Sequence, residues 1–70
     1  MTRIEYYLWC FDRSLILEVK TEEVDIITQI LDESYDFWID NEEEVGDSCC
    51  EEYMCECLAK IGFCFKWIQN

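Results

Sequence analysis

The chain reads as a small α+β sandwich of order β-β-α-α-β: a three-stranded, mainly antiparallel sheet with two helices on one face, occupying residues 1–70 as a single domain. Three observations predict it. Apolar residues of strand type fill 4–11 and 15–19, switch to a 3.6-residue period over 22–40 and 49–61, and return to alternation over 63–68. Hydrophobic residues make up 51% of the chain, including three Trp, four Tyr and four Phe. Each such ring buries roughly 150–250 Å² when packed, so a core forms without staples. There is no proline, and Gly46 and Gly62 are the only glycines, a composition that fits a folded domain and not a disordered acidic tail.

In chain order, IEYYLWCF (4–11) carries β-formers on both faces, and Leu15, Ile16, Leu17 and Val19 follow the polar break Asp12-Arg13-Ser14, which predicts a hairpin. Thr21 offers an N-cap, with Glu22 and Glu23 at the positive end of the helix dipole, so a helix is expected over 22–40. Its inner stripe is Val24, Ile27, Ile30, Leu31, Ser34, Tyr35 and Trp38; its outer stripe is Asp25, Gln29, Asp32, Glu33, Asp36 and Asp40. After NEEEVGD, Ser48 and Glu51 have capping-box spacing, and Gly62 suits the left-handed residue that ends a helix over 49–61. That helix would bury Cys50, Tyr53, Met54, Cys57, Leu58 and Ile61 and expose Cys49 and Cys55. Phe63, Phe65 and Trp67 alternate with Cys64, Lys66 and Ile68 in a final strand. Two helices cover one sheet face, leaving the other, with Tyr7, Trp9, Ile16, Glu18 and Lys66, partly bare and a candidate homodimer interface.

The formal charge of −12 excludes more than it selects. Nucleic acid and anionic membranes are read by Lys and Arg, so neither is expected as a direct partner. A basic protein or a cation is favoured. No segment has the ~18 consecutive apolar residues of a membrane span, and the start, MTRIEYYLWCF, lacks a signal-peptide core, so a cytoplasmic protein with reduced thiols is expected.

Specific chemistries each meet an obstacle in the residues. Asp32, Ser34, Asp36, Asp40 and Glu43 stand at positions 1, 3, 5, 9 and 12 of a calcium loop, but Phe37 occupies the position that needs glycine. Cys49, Cys50, Cys55 and Cys57 are dense enough to suggest zinc, yet Cys55 and Cys57 lie about 200° apart on a helix, and there is no His to complete a site. Core packing is the better reading of the thiols. With no His, no phosphate loop and no base near a Cys in sequence, the chain reads as a non-enzyme that requires no cofactor and no metal.

What remains is the distribution of acid. Residues 21–59 hold fourteen Asp or Glu and no Lys or Arg; Arg3, Arg13, Lys20, Lys60 and Lys66 all lie outside. A solvated helix ordinarily mixes signs, because a Glu–Lys pair at i, i+4 adds about 0.2–0.5 kcal/mol. Here Asp32, Asp36 and Asp40 repeat one sign, so the helix gives up local stability for a one-sign field. From Asp25 to Asp40 a helix rises about 22 Å, over which one DNA strand presents roughly six phosphates at ~3.4 Å each. Five carboxylates on the helix give a comparable density.

On Asp25, Asp32, Glu33, Asp36, Asp40, Glu42, Glu43, Glu44 and Asp47, the chain resembles small acidic inhibitors carried by phages and other mobile elements, including anti-CRISPR and anti-restriction proteins that mimic nucleic acid. The resemblance is of charge layout and size over residues 21–56; the six cysteines depart from that class. It implies a non-catalytic inhibitor whose partner is a basic nucleic-acid-binding protein with a Lys/Arg-lined channel, such as a CRISPR-Cas effector, contacted by those nine carboxylates. Two other readings stand beside it: a structural or oligomerising module with a solvated acidic face, and a divergent calcium-binding helix–loop.

Overall fold

The hairpin of β1 (Thr2–Leu8) and β2 (Arg13–Val19) opens the computed structural model, which describes residues 1–45 and 49–68. The pairing is antiparallel, with Ile4 opposite Leu17 and Leu8 opposite Arg13. β1 ends earlier than expected, because Phe11 N–H donates to the Leu8 carbonyl at 2.9 Å and Asp12 takes a left-handed φ of 52°, turning the chain over residues 9–12. Trp9 therefore sits in the turn and not on the bare sheet face. Its ring meets Tyr35 edge-on at 6.0 Å, on the helical side.

A 3-10 turn (Thr21–Glu23) leads into α1 (Val24–Asp40), which runs 17 residues without a break. Thr21 is not its cap. The Thr21 hydroxyl is bonded to that of Thr2 at 2.7 Å, Glu23 N–H reaches back to the Lys20 carbonyl, and no side chain caps α1. One turn, α2 (Glu42–Val45), follows, and then α3 (Cys50–Ile61). The cap of α3 is Cys49, whose sulfur accepts from Glu52 N–H at 3.5 Å. The expected cap, Ser48, lies outside the described residues. At the other end, Gly62 adopts φ 105°, and the N–H groups of Gly62 and Phe63 both return to the Leu58 carbonyl, the left-handed stop expected of glycine there. That closure uses up Phe63, so β3 is shorter than expected, Phe65–Ile68.

β2 is the central strand of a wholly antiparallel sheet of order β1-β2-β3. The architecture is the expected α+β one. Leu8, Leu15, Leu17 and Val19 of the sheet meet Ile27, Leu31, Tyr35 and Trp38 of α1 and Cys50, Met54 and Leu58 of α3 in one core. The α1 stripe is buried or half-buried throughout, as its periodicity requires.

Three burial expectations fail. Ile61 is 61% exposed, because it lies in the last turn of α3, next to the chain reversal at Gly62. Cys55 is buried at 7%: α3 hides a wider arc than a single stripe. On the far sheet face, Ile16 is also buried, standing on the central strand between its cross-strand neighbours Glu5 and Ile68. Among the described residues no helix is long and apolar enough to cross a membrane.

Candidate functional site

The rotation of α1 sorts its side chains into three arcs. At about 100° per residue, Asp25, Asp32, Glu33, Asp36 and Asp40 fall within one arc of about 100°. All five are exposed. The next arc, about 40° wide, holds Ile26, Phe37 and Ile30. Beyond it lie the buried residues from Ser34 round to Tyr35, which face the sheet and α3.

The sheet and the first turn of β1–β2 fix the angle at which α1 shows its acid. Tyr35 is held at both its ring and its hydroxyl: Cys10 N–H donates to the hydroxyl at 2.9 Å, and Tyr6 and Trp9 pack edge-on against the ring. Three residues along, Trp38 receives Phe11 edge-on at 5.5 Å, and the Arg13 guanidinium lies over Phe11 at 5.2 Å. Tyr6 also donates its hydroxyl hydrogen to Asp32, tying one acid of the arc to β1. Burial, the hydrogen bond to Asp32 and the charges of Asp32 and Asp36 together push the Tyr6 hydroxyl well above the ordinary tyrosine range. It stays a donor at any neutral pH. Burial first, with smaller effects from neighbouring groups, pushes the Tyr35 hydroxyl up to about 12.

Carboxylates on the arc have little to balance them. Gln29 donates weakly to Glu33 at 3.4 Å, and the last turn of α1 contains no basic residue. Asp40 thus sits at the negative end of the helix dipole, where a cation is the stabilising choice. Among the described residues the ion pair present is Arg13 with Glu51 at 2.8 Å, which joins β2 to α3 and leaves the α1 acids without a cation. Past Asp40, Asn41 closes the helix through the Phe37 carbonyl, and the exposed Glu42 and Glu43 carry the field onward. Ile39, Asp40, Asn41, Glu42 and Glu43 line a shallow hollow of about 340 Å³ there. Of the nine acids singled out in the sequence, five come together on α1 and two continue them on α2. The Glu44 side chain and Asp47 lie outside the described residues.

Calcium coordination loses its geometry. Asp32, Ser34 and Asp36 belong to a continuous helix, in which residues two apart point about 200° apart. Ser34 is buried and donates to the Leu31 carbonyl at 3.1 Å. The alternating oxygens of a calcium loop cannot converge from these positions. Nor do the thiols assemble: among the described residues no three of His, Cys, Asp or Glu are grouped to hold a metal. Cys50 and Cys55 are packed in the core, where burial first, and then Glu51 and Cys49, push both thiols up to about 12. They are protonated at neutral pH and poor nucleophiles.

Two features of this face were not read from the sequence. The turn aromatics Trp9 and Phe11 act as clamps on α1, for which the only signal is their density next to Asp12. Ile26 and Phe37 form an exposed apolar strip beside the core stripe, joined by the half-buried Ile30 at the stripe's edge. The signal for that strip is Ile26, an apolar residue between the stripe and the acids at i, i+4 from Ile30. Compared with known proteins, the chain matches no family model, no curated protein sequence and no solved structure.

Proposed function

We propose that this protein is a non-catalytic, acidic protein-binding inhibitor that occupies a basic nucleic-acid-binding site on its partner, as the phage-borne mimics it resembles do. A CRISPR-Cas effector or another host defence protein with a Lys/Arg-lined channel is the class of partner. The observation that carries the reading is the arc of five exposed carboxylates on α1, rigidly set by Tyr6, Trp9 and Phe11 and balanced by no cation among the described residues. Such a field raises the association rate of an oppositely charged groove by about 10 to 10³. It also costs helix stability at Asp32, Asp36 and Asp40, a cost that solubility alone does not require. A homodimer through the open sheet face has less support, because beside Tyr7 the exposed residues of that face are Arg3, Glu5, Ser14 and Lys66, with Ile16 buried among them.

Immobilised protein is challenged with host lysate over a salt series. The expected captures are nucleic-acid-binding proteins that are eluted by duplex DNA as well as by salt, and that are lost when Asp32, Asp36 and Asp40 are all changed to Asn. Captures that survive that triple change, or that DNA does not displace, would sink the proposal.

A further inference from the structure

Along the seam where α1 and α3 meet, Ile30, Glu33, Ser34, Cys57 and Ile61 line a shallow groove of about 240 Å³. Apolar surface extends it at both ends. One turn before Ile30, Ile26 is 49% exposed; one turn after Ser34, Phe37 is 46% exposed, its ring stacked on Tyr53 at 6.1 Å and 14°. From Ile26 to Phe37 the strip is about 16 Å long, three helical turns. Single exposed apolar residues are ordinary, but Ile26, Ile30, Phe37 and Ile61 adjoin one another on one seam, and contiguous apolar surface rimmed by polar groups marks an interface.

We infer that this seam receives a basic amphipathic helix of a partner protein, its apolar residues seated between α1 and α3 and its Lys or Arg residues lying over the acid arc. The rim decides the occupant. Glu33 lines the groove itself, and the exposed carboxylates of the acid arc lie directly beside Ile26, Ile30 and Phe37 on the rotation of α1, while Lys60 precedes Ile61 on α3. A second copy of the chain would bring another −12 of charge to the same rim and be repelled. A helix fits because the seam runs between two packed helices for about 16 Å, the length over which the i, i+3, i+4 and i+7 side chains of an incoming helix of three turns seat on one side. The inference rests on the proposed function only for the sign of the partner's charge.

The test uses two synthetic peptides of identical leucine and lysine content, one patterned as a three-turn amphipathic helix and one scrambled, titrated into the whole protein at near-physiological salt. The patterned peptide is expected to bind roughly tenfold more tightly or better. Its NMR footprint should include Ile26, Phe37, Tyr53 and Ile61. Changing Ile26→Ser with Ile61→Ser, both exposed and outside the core, is expected to abolish the advantage and leave the weak affinity for the scrambled peptide unchanged. Equal affinity for the two peptides, or a footprint elsewhere, overturns the groove while leaving the acid arc as a charge-only binder. A dimer in sedimentation equilibrium that the same double change abolishes assigns the seam to a second copy, and equally overturns it.

Discussion

On the outer face of the sheet, Glu18 stands directly across from Arg3 on one side and Lys66 on the other, so each charge in the row faces its opposite. On the outer face of α1, Asp32, Asp36 and Asp40 succeed one another at i, i+4, and no cation interrupts them. The chain therefore has the means to intersperse its signs and does so on the sheet but not on α1. Five basic residues are few against seventeen acids, yet Arg3 and Lys66 stand in register opposite Glu18 on the sheet, and Arg13 of the sheet is ion-paired to Glu51 of α3. The contrast separates a face organised for folding from a face whose arrangement works against it.

The most sensitive way to break this contrast is to invert the middle of the sheet row. Glu18→Lys removes two opposite-charge neighbours and creates two like-charge ones, each worth roughly 0.2–1 kcal/mol, for an expected loss of about 1–2 kcal/mol. In a domain of this size 1 kcal/mol moves the melting temperature by roughly 4–8 °C, so thermal denaturation reads it directly. A melting temperature that rises instead would mean that relief of the total negative charge outweighs the row, and that the two faces do not differ in kind.

A second prediction concerns the contact that joins the two layers, Tyr6 to Asp32. Tyr6→Phe removes this hydrogen bond and is expected to cost about 1 kcal/mol at pH 7. The pH dependence has a definite sign. Because the folded Tyr6 hydroxyl ionises above the ordinary value near 10, the stability it contributes is fully present below pH 10 and is lost as pH rises through its folded value. The gap in melting temperature between the parent chain and Tyr6→Phe should therefore narrow from about pH 10 upward. A gap that stays constant to pH 11 would show that neither burial nor Asp32 holds the proton on Tyr6.

How much of this was legible in the sequence follows from how local each determinant is. The faces of α1 were, because a helix of 17 residues repeats its period often enough to separate Ile27, Leu31 and Trp38 from Asp25, Asp32 and Asp36. Gly62 was, since its left-handed conformation depends on its own backbone. Thr21 was not: its hydroxyl is taken by Thr2, nineteen residues away, and no local rule anticipates that competitor. Trp9 and Cys55 failed for a related reason. The turn at Asp12 and the wide arc that α3 buries decide their environments, and neither is set by the residue's own periodicity. The acid arc was legible as composition and as a helical face, while the apolar seam beside it needed the position of α3, since Ile61 and Tyr53 complete it from a second helix.

The smallest expected effect is the most informative about the helix. Asp36→Lys makes the same change in net charge as Glu18→Lys, replacing −1 with +1 and taking −12 to −10. Any difference between the two variants therefore reports local placement, with the long-range charge term held equal. On α1 the new Lys gains Asp32 four residues before it and Asp40 four residues after it, turning two like-charge pairs into attractive ones. At about 0.2–0.5 kcal/mol per pair, the expected gain is about 0.5–1 kcal/mol. Asp36 is exposed, so no core contact is lost. The melting temperature is expected to rise by a few degrees for Asp36→Lys and to fall for Glu18→Lys, and the rise should shrink in high salt, where exposed charges are screened within a few ångströms. If both variants shift the same way by the same amount, total charge alone governs stability, and the one-sign arc carries no local cost for a binding function to explain.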